Sequence, residues 1–324
     1  MKLKAFLVFL FLLAAPALHA HERITLMLDW FPNIDHLPVY VAIKEGMFRD
    51  EGLEVRVLTP SSTTDALKLA CSGRVDLAVS YEPQAIVAAS QGLPVAVVGR
   101  LVEHPLGVLL FLEGKGIEKP SDLSGRKIGY TVAGMEDILL EAFAEKNGIT
   151  SYTPVNVGFG IIPSLVSGRV DAIMGPYKNY EAVELSEKGY GARYFEPCSF
   201  GIPDYDELVF IAGSATMEKK RPAVRAFVRA VDKALSFTRA NPEKALAAYF
   251  SAVPEADKTM ETKAFGVTLP LYASTQSHDA VRWQAFADFA LASGLIEHPV
   301  RAKELLHDLS GNGTSPGIKT KEKR

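Results

Sequence analysis

The pentapeptide Ser-Gly-Arg-Val-Asp occurs twice in this chain, at residues 72–76 and again at residues 167–171. Each copy follows a helix-like stretch and precedes a short apolar run, Leu77–Ser80 in the first case and Ala172–Gly175 in the second. Its glycine suits the left-handed position that ends a helix, and the apolar run is typical of a parallel strand buried on both faces. The repeat therefore predicts two similar α/β lobes in which the pentapeptide has a structural role.

Two extended apolar runs, Gly107–Leu112 and Glu207–Ala212, are the predicted hinge strands between the lobes. We place residues 21–112 and 209–310 in the first lobe and residues 113–208 in the second. Residues 311–324 are rich in glycine and charge and form a predicted flexible tail. About 300 mature residues exceed a single core, so two lobes are also expected from the length of the chain. The predicted fold class is α/β, with two doubly wound lobes.

The first 20 residues have the pattern of a secretory signal peptide. A basic start, Met1–Lys4, is followed by an apolar stretch at residues 5–13 and then by small residues. The apolar stretch is too short to span a bilayer, and we expect cleavage after Ala20 or Ala17. No cysteine lies near this site, so we expect a free periplasmic protein and not a lipoprotein.

Composition excludes several classes of partner. Without the signal peptide the chain has 33 basic and 38 acidic residues, so nucleic acid is not an expected partner. An oxidising compartment would permit a disulfide between Cys71 and Cys198, but they belong to different predicted lobes and we do not expect one. The seven histidines show no metal-ligand spacing. We expect a monomer with no metal, no cofactor and no catalytic residues.

The segment Asp29-Trp-Phe-Pro-Asn33, with His36 three residues later, resembles the start of the bacterial periplasmic proteins that bind thiamine pyrimidine precursors. Phe200–Phe210, which contains Tyr205 and Glu207, resembles the exit from the second lobe in the same group. The resemblance extends over most of the mature chain. It implies a type II periplasmic binding protein fold. It also implies delivery of N-formyl-aminopyrimidine or a close relative to an ABC transporter permease in the inner membrane.

The superfamily also contains an enzyme, the fungal pyrimidine-phosphate synthase, and this chain departs from its pattern. Ser80 stands where the synthase has its cofactor-binding lysine, and Gln84 stands where it has its sacrificial histidine. A serine cannot form a Schiff base with pyridoxal phosphate. The synthase's cysteine-rich run is absent too, since Cys198 is the single cysteine between Glu196 and Leu208. The departures favour a binding protein over an enzyme.

An aminopyrimidine is flat and rimmed by donors and acceptors, so its site needs aromatic faces and a few polar groups in the ring plane. Ligands of open α/β sheets bind at the carboxyl ends of strands, and the candidates follow predicted strands. Trp30 is a candidate for stacking, and Glu207 or Glu82 for accepting from the exocyclic amine. Asn33 either contacts the ligand or caps the backbone. The candidate ligand-binding residues are Trp30, Asn33, His36, Ser80, Tyr81, Glu82, Tyr177, Tyr205 and Glu207.

Other ligands stay open as alternatives. A second-lobe helix is predicted to begin near Met135, and Glu136 and Asp137 in its first turn would repel a sulfonate or nitrate if they faced the cleft. An alkylsulfonate or an aromatic acid is the main alternative ligand, and a synthase-like enzyme is the second alternative. Trp283 belongs to an apolar helical stripe and is expected to be buried in the core.

Overall fold

The structure is a computed structural model, and it describes residues 21–309. The predicted signal peptide and the predicted tail therefore lie outside the described residues. Within residues 21–309 no helix is both long and apolar enough to cross a membrane. Cys71 and Cys198 are free thiols.

Ten strands lie in the part of the chain that the structure describes. They are β1 (Glu22–Met27), β2 (Leu53–Leu58), β3 (Leu77–Ser80), β4 (Val95–Val102), β5 (Gly107–Leu112), β6 (Arg126–Tyr130), β7 (Tyr152–Asn156), β8 (Ala172–Tyr177), β9 (Ala192–Phe195) and β10 (Leu208–Gly213).

The same residues contain thirteen α-helices and four short 3₁₀ helices. The α-helices are α1 (Leu37–Lys44), α2 (Met47–Asp50), α3 (Asp65–Cys71), α4 (Glu82–Ser90), α5 (Glu136–Lys146), α6 (Ile161–Val166), α7 (Glu181–Glu187), α8 (Ser214–Lys219), α9 (Arg221–Ala240), α10 (Pro242–Ala252), α11 (Lys258–Thr268), α12 (Ala280–Ala292) and α13 (Ala302–Leu305). The 3₁₀ helices are Ile34–His36, Pro120–Leu123, Pro197–Phe200 and Leu269–Leu271.

The strands form two five-stranded sheets with the same arrangement. In the first sheet, β1 pairs in parallel with β2 and β3, and β10 runs antiparallel between β3 and β4. In the second sheet, β6 pairs in parallel with β7 and β8, and β5 runs antiparallel between β8 and β9. The predicted two-lobed α/β fold is confirmed.

The repeated pentapeptide has the same structural role in both lobes. Its glycine has a φ of 70° in the first copy and 72° in the second, where it ends a helix. In the first lobe, Asp76 Oδ2 accepts a 2.8 Å hydrogen bond from the N–H of Thr25 in β1. In the second lobe, Asp171 Oδ2 accepts a 3.0 Å hydrogen bond from the N–H of Lys127 in β6. Each aspartate thus joins its lobe's helix-to-strand turn to the neighbouring parallel strand.

The chain crosses between the sheets twice, and one crossing differs from the expected boundary. The sequence pattern places residues 107–112 in the first lobe, but β5 pairs with β8 and β9 of the second sheet. The first crossing is therefore the segment 103–106, and the second is the segment 196–207. An apolar strand that is buried along most of its length suits the middle of either sheet, so its composition does not decide between them.

The first lobe is completed by helices from the C-terminal part of the described chain. In helix α9 the side chains of Val224, Phe227 and Val231 share one face, and all three are fully buried. Trp283 in α12 is also fully buried, as predicted. Burying a large apolar side chain contributes about 1.5–3 kcal/mol, so these helices form a stable base for the cleft.

Candidate functional site

A cavity lies between the two lobes, at the carboxyl ends of β1, β3, β6 and β8. Its volume is about 400 Å³, including space that is open to solvent. A second cavity of about 370 Å³ adjoins it, and both are lined by Glu136 and Gly175. This is the position at which α/β sheets bind ligands, because strand ends and loops from both lobes meet there.

Asp29 joins the ends of two neighbouring strands on the first-lobe wall. Its Oδ1 lies 2.8 Å from His36 Nε2, and its Oδ2 accepts a 2.8 Å hydrogen bond from the Tyr81 hydroxyl. All three side chains are buried and line the first cavity. Since both carboxylate oxygens of Asp29 have partners, this residue fixes the positions of the phenol and the imidazole.

Trp30 and Asn33 also line the first cavity. Asn33 Oδ1 accepts a 2.9 Å hydrogen bond from the N–H of Asp35, so this side chain caps the short helix that follows it. Trp30 is half-buried, and its ring packs edge-on against Phe159 of the second lobe, with 4.5 Å between centroids. Phe31 lies 4.7 Å from the same Phe159 ring. The three rings connect the lobes beside the cavity.

Glu136 is fixed in the second-lobe wall by three hydrogen bonds. Its Oε2 accepts hydrogen bonds from the N–H and the hydroxyl of Thr131, both at 2.6 Å, and from the N–H of Val132 at 3.0 Å. Gly175 lies against the carboxyl group, and a Cβ at that position would be 2.1 Å from Glu136 Oε1 and 2.4 Å from Oε2. The carboxyl group therefore fits here because position 175 has no side chain.

Glu207 connects the two crossings at the wall of the second cavity. Its Oε2 accepts hydrogen bonds from the N–H groups of Leu106 at 2.6 Å and Gly107 at 2.9 Å. Its Oε1 accepts a 3.2 Å hydrogen bond from the Tyr177 hydroxyl. Tyr177 lines the first cavity, whereas Glu207 and Tyr205 line the second. This hydrogen bond thus links the two cavities.

Hydrogen bonds between the lobes surround the first cavity. Asn179 Nδ2 of the second lobe donates to Asp35 Oδ1 at 2.6 Å and to Thr268 Oγ1 at 2.8 Å. On the other side, Thr63 Oγ1 of the first lobe donates to the carbonyl of Thr131 at 2.9 Å. Asp35 and Asn179 are fully buried by these contacts. The structure is therefore a closed form of the cleft.

Burial raises the pKa of several carboxyl groups on the cavity walls. Desolvation raises the pKa of Glu136, Glu181 and Asp35 each to about 7. Desolvation likewise raises the pKa of Glu207 to about 7, and the nearby charge of Asp29 adds to the effect. No lysine or arginine of the described chain lines either cavity. The site therefore favours hydrogen-bond donors or positive charge and disfavours an anion.

Seven of the nine residues proposed from the sequence lie on a cavity wall. Trp30, Asn33, His36, Tyr81 and Tyr177 line the first cavity, and Tyr205 and Glu207 line the second.

Ser80 and Glu82 line neither cavity. Ser80 Oγ donates a 2.6 Å hydrogen bond to Gln84 Oε1, and Glu82 Oε2 accepts a 2.7 Å hydrogen bond from the N–H of Asp206. Both side chains are fully buried, and these hydrogen bonds hold them inside the first lobe. Their position next to the end of β3 is therefore not sufficient to bring them to the cleft.

Sequence reasoning missed several residues of the cavity walls, and among them are Asp35, Glu136, Gly175 and Glu181. Glu136 had a signal, because an acidic residue in the first turn of the helix after β6 was recognised as relevant to ligand charge. Asp35 and Glu181 had no local signal that separates them from surface carboxylates. Gly175 was assigned to the end of a strand, but its contact with Glu136 depends on the fold of the second lobe.

Comparison with known proteins agrees with this architecture. The model of the NMT1/THI5-like family matches residues 33–245. A Haemophilus influenzae protein whose name refers to thiamine biosynthesis is 37% identical over 290 residues, which cover 88% of this chain and 91% of that protein. A formylaminopyrimidine-binding protein of Halalkalibacterium halodurans is 34% identical over 302 residues, which cover 90% of this chain and 91% of that protein.

Two further similarities are more distant. A 4-amino-5-hydroxymethyl-2-methylpyrimidine phosphate synthase of Saccharomyces cerevisiae is 29% identical over 259 residues, which cover 75% of each chain. The periplasmic aliphatic sulphonate-binding protein of Escherichia coli has the same fold, with a TM-score of 0.66 at 17% identity, over 93% of this chain and 98% of that one. With the family model matching most of its length and two relatives above 30% identity, this chain belongs to the NMT1/THI5-like family.

Proposed function

We propose that this protein is the solute-binding component of an ABC importer and that it binds a thiamine pyrimidine precursor, formylaminopyrimidine or a close relative. The observation that carries the proposal is the interlobe cavity, where the rings of Trp30, Tyr81 and Tyr177 meet carboxyl groups. Aromatic faces suit a planar ring, and carboxyl groups accept from its amine. The relative named as a formylaminopyrimidine-binding protein supports this ligand class.

The affinity that a ligand with a single ring needs is within the reach of a closed cleft. Micromolar affinity corresponds to about −8 kcal/mol, so a ligand of about a dozen heavy atoms must gain roughly 0.7 kcal/mol per atom. That is about half the ceiling for the best small ligands. Closure of two lobes helps to reach it, because both ring faces then lose their contact with water.

The proposed place of action is the periplasm, with a monomer that delivers its ligand to a permease in the inner membrane. The signal-like segment at residues 1–20 supports this location, and the fold is shared with a periplasmic sulphonate-binding protein. Transport needs the ligand to leave unchanged, and lobe opening provides its route of release.

Two other functions are weaker candidates. A sulfonate or aromatic acid would meet Asp35, Glu136 and Glu181, whose ionised forms repel an anion. Pyrimidine synthesis of the fungal type uses a lysine and a histidine, whereas Ser80 and Gln84 stand at those positions and bond to each other away from the cavity. These observations favour binding over catalysis.

Ligand titration of the purified protein tests the proposal. Formylaminopyrimidine is expected to change the tryptophan fluorescence with saturation, because Trp30 lines the cavity, while taurine and nitrate leave it unchanged. Trp30→Ala is expected to weaken binding about tenfold or more through lost stacking. Its melting temperature should change little, because the ring is half-exposed.

Phe31→Ala is the matched control, since this neighbouring ring is more exposed and does not line the first cavity. Saturable binding of an alkylsulfonate with no response to the pyrimidine would overturn the ligand assignment. Addition of pyridoxal phosphate addresses the enzyme alternative separately, because an imine absorbance at a specific lysine would support that alternative.

A further inference from the structure

The walls of the two cavities carry an excess of acidic groups. Among residues 21–309, one imidazole and five carboxyl side chains line them, and no lysine or arginine does. A bound ligand that excludes water from this space must leave the carboxyl groups protonated or supply positive charge itself. The imidazole is His36, and the carboxyl groups are Asp29, Asp35, Glu136, Glu181 and Glu207.

Glu136 is the best placed of these groups to face a ligand. It belongs to the walls of both cavities, so it lies where they adjoin. The three hydrogen bonds from Thr131 and Val132 all end on Oε2. Donors on one oxygen stabilise the ionised form and leave the other oxygen for a ligand.

Asp35 provides a second acceptor on the opposite lobe. Its Oδ1 accepts from Asn179, but its buried Oδ2 has no hydrogen-bond partner in the described chain. An orphaned carboxylate oxygen on a cavity wall is costly unless a ligand donates to it. Both lobes thus present an acceptor that a protonated ring with an exocyclic amine can satisfy.

We propose that the ligand binds as a cation, an aminopyrimidine protonated on a ring nitrogen, with the ionised carboxylate of Glu136 as its counter-charge. This inference rests on the proposed function. The proton passes from the Glu136 carboxyl group to the ring nitrogen, or arrives with the ring from solution. In either case the complex holds one proton in the contact between carboxylate and ring.

The acidic groups that surround Glu136 make ionisation of its carboxyl group unfavourable unless a positive charge is present. Glu207 in the second crossing, Glu181 in α7, and the phenols Tyr81 and Tyr205 interact with it electrostatically. Burial raises the pKa of the Glu136 carboxyl to about 7, so the empty site is partly protonated near neutral pH. A ring cation allows this carboxyl to ionise without adding net negative charge to the cavity.

The pH dependence of binding follows from the proton count. Well above pH 7 the free carboxyl and the free ring have both lost the proton, so binding takes one up from solvent. The affinity for formylaminopyrimidine is then expected to fall about tenfold per pH unit. At acidic pH both partners carry a proton and binding releases one, so the affinity falls in that direction too.

The decisive measurement is the protonation state of the bound ring. Formylaminopyrimidine labelled with ¹⁵N in the ring is titrated with the full-length mature protein, and its ¹⁵N resonances and ultraviolet spectrum are compared with those of the free ligand at acidic and alkaline pH. The expected bound spectrum at pH 8 is that of the protonated ring. A bound spectrum of the neutral ring would overturn the inference while leaving the proposed function standing. Absence of saturable binding would reject the proposed function itself.

Glu136→Gln provides a second readout, because glutamine keeps the size of the side chain but cannot balance a cation. The expected loss of affinity is about 10- to 100-fold, and the bound ring should then show the neutral spectrum. Glu141→Gln is the matched control, since Glu141 is exposed on the same helix. Equal affinities of the two variants would contradict the role of Glu136. The wild-type spectrum decides the charge state even if Glu136→Gln does not fold.

Discussion

Replacing Gly175 with alanine tests whether the missing side chain at this position holds the Glu136 carboxyl group in place. A Cβ at Gly175 would lie 2.1 Å from Oε1, 2.3 Å from Cδ and 2.4 Å from Oε2 of Glu136. Folded proteins do not tolerate contacts this short. The Glu136 side chain must therefore move, and it then loses its hydrogen bonds to Thr131 and Val132.

The expected cost has two parts. Gly175 has a φ of 109°, where a residue with a Cβ is strained by about 1–3 kcal/mol. Displacing a buried carboxyl group from its donors costs about 1–3 kcal/mol more. The free energy of unfolding should thus fall by about 2–6 kcal/mol in Gly175→Ala. Gly168→Ala is the control, because its φ is 72° and a Cβ there meets nothing within 4 Å, so it causes only backbone strain.

Urea denaturation of a double-mutant cycle with Glu136→Ala separates these parts. In the Glu136→Ala background the clash is gone, so Gly175→Ala should cost only the strain, and the interaction energy should be about 1 kcal/mol or more. Calorimetric titration should show that Gly175→Ala also weakens formylaminopyrimidine binding, whereas Gly168→Ala does not. Additive effects of the two substitutions, within about 0.5 kcal/mol, would refute the reasoning.

Two further predictions concern the ligand-free protein. Its melting temperature is expected to fall as the pH rises from about 5 to 8, because burial raises the pKa of groups such as Glu181 from 4.5 to about 7. The folded state then holds protons that the unfolded state releases, a contribution that is complete below pH 4.5 and lost through pH 7; a constant melting temperature would contradict it. Asn179→Ala removes the side-chain hydrogen bonds to Asp35 and Thr268, so small-angle scattering should show a larger radius of gyration than for the exposed control Asn156→Ala. Equal radii would show that these bonds do not keep the lobes closed.

Local sequence patterns were sufficient for most elements of the fold. The apolar runs that form β3 and β5 have the predicted bounds, since short runs between glycine-rich turns leave few alternatives. The lobe that contains β5 could not be predicted in the same way. Its place between β8 and β9 depends on pairing across distant segments, and such pairing leaves no mark on β5, whose own side chains are all apolar.

The candidate site shows the same difference between what local patterns predict and what depends on distant contacts. Trp30, Tyr81 and Tyr177 follow or end predicted strands, and they line the cavity, which is where this fold class places its ligands. Asp35 was missed because its burial comes from Asn179, which lies 144 positions away in the chain and in the other lobe. Glu82 lies outside both cavities for a related reason. Its partner is the N–H of Asp206, a contact that only the folded first lobe creates.

The hydrogen bonds of Glu207 have a mechanical consequence. One oxygen of this side chain accepts hydrogen bonds from the N–H groups of Leu106 and Gly107. Because Glu207 itself belongs to the second crossing, these bonds tie the two crossings to each other. The same carboxyl group lines the second cavity, and its other oxygen accepts a hydrogen bond from the Tyr177 hydroxyl. We therefore expect a ligand that contacts this hydroxyl to act on both connecting segments, so that ligand binding and movement of the lobes are coupled.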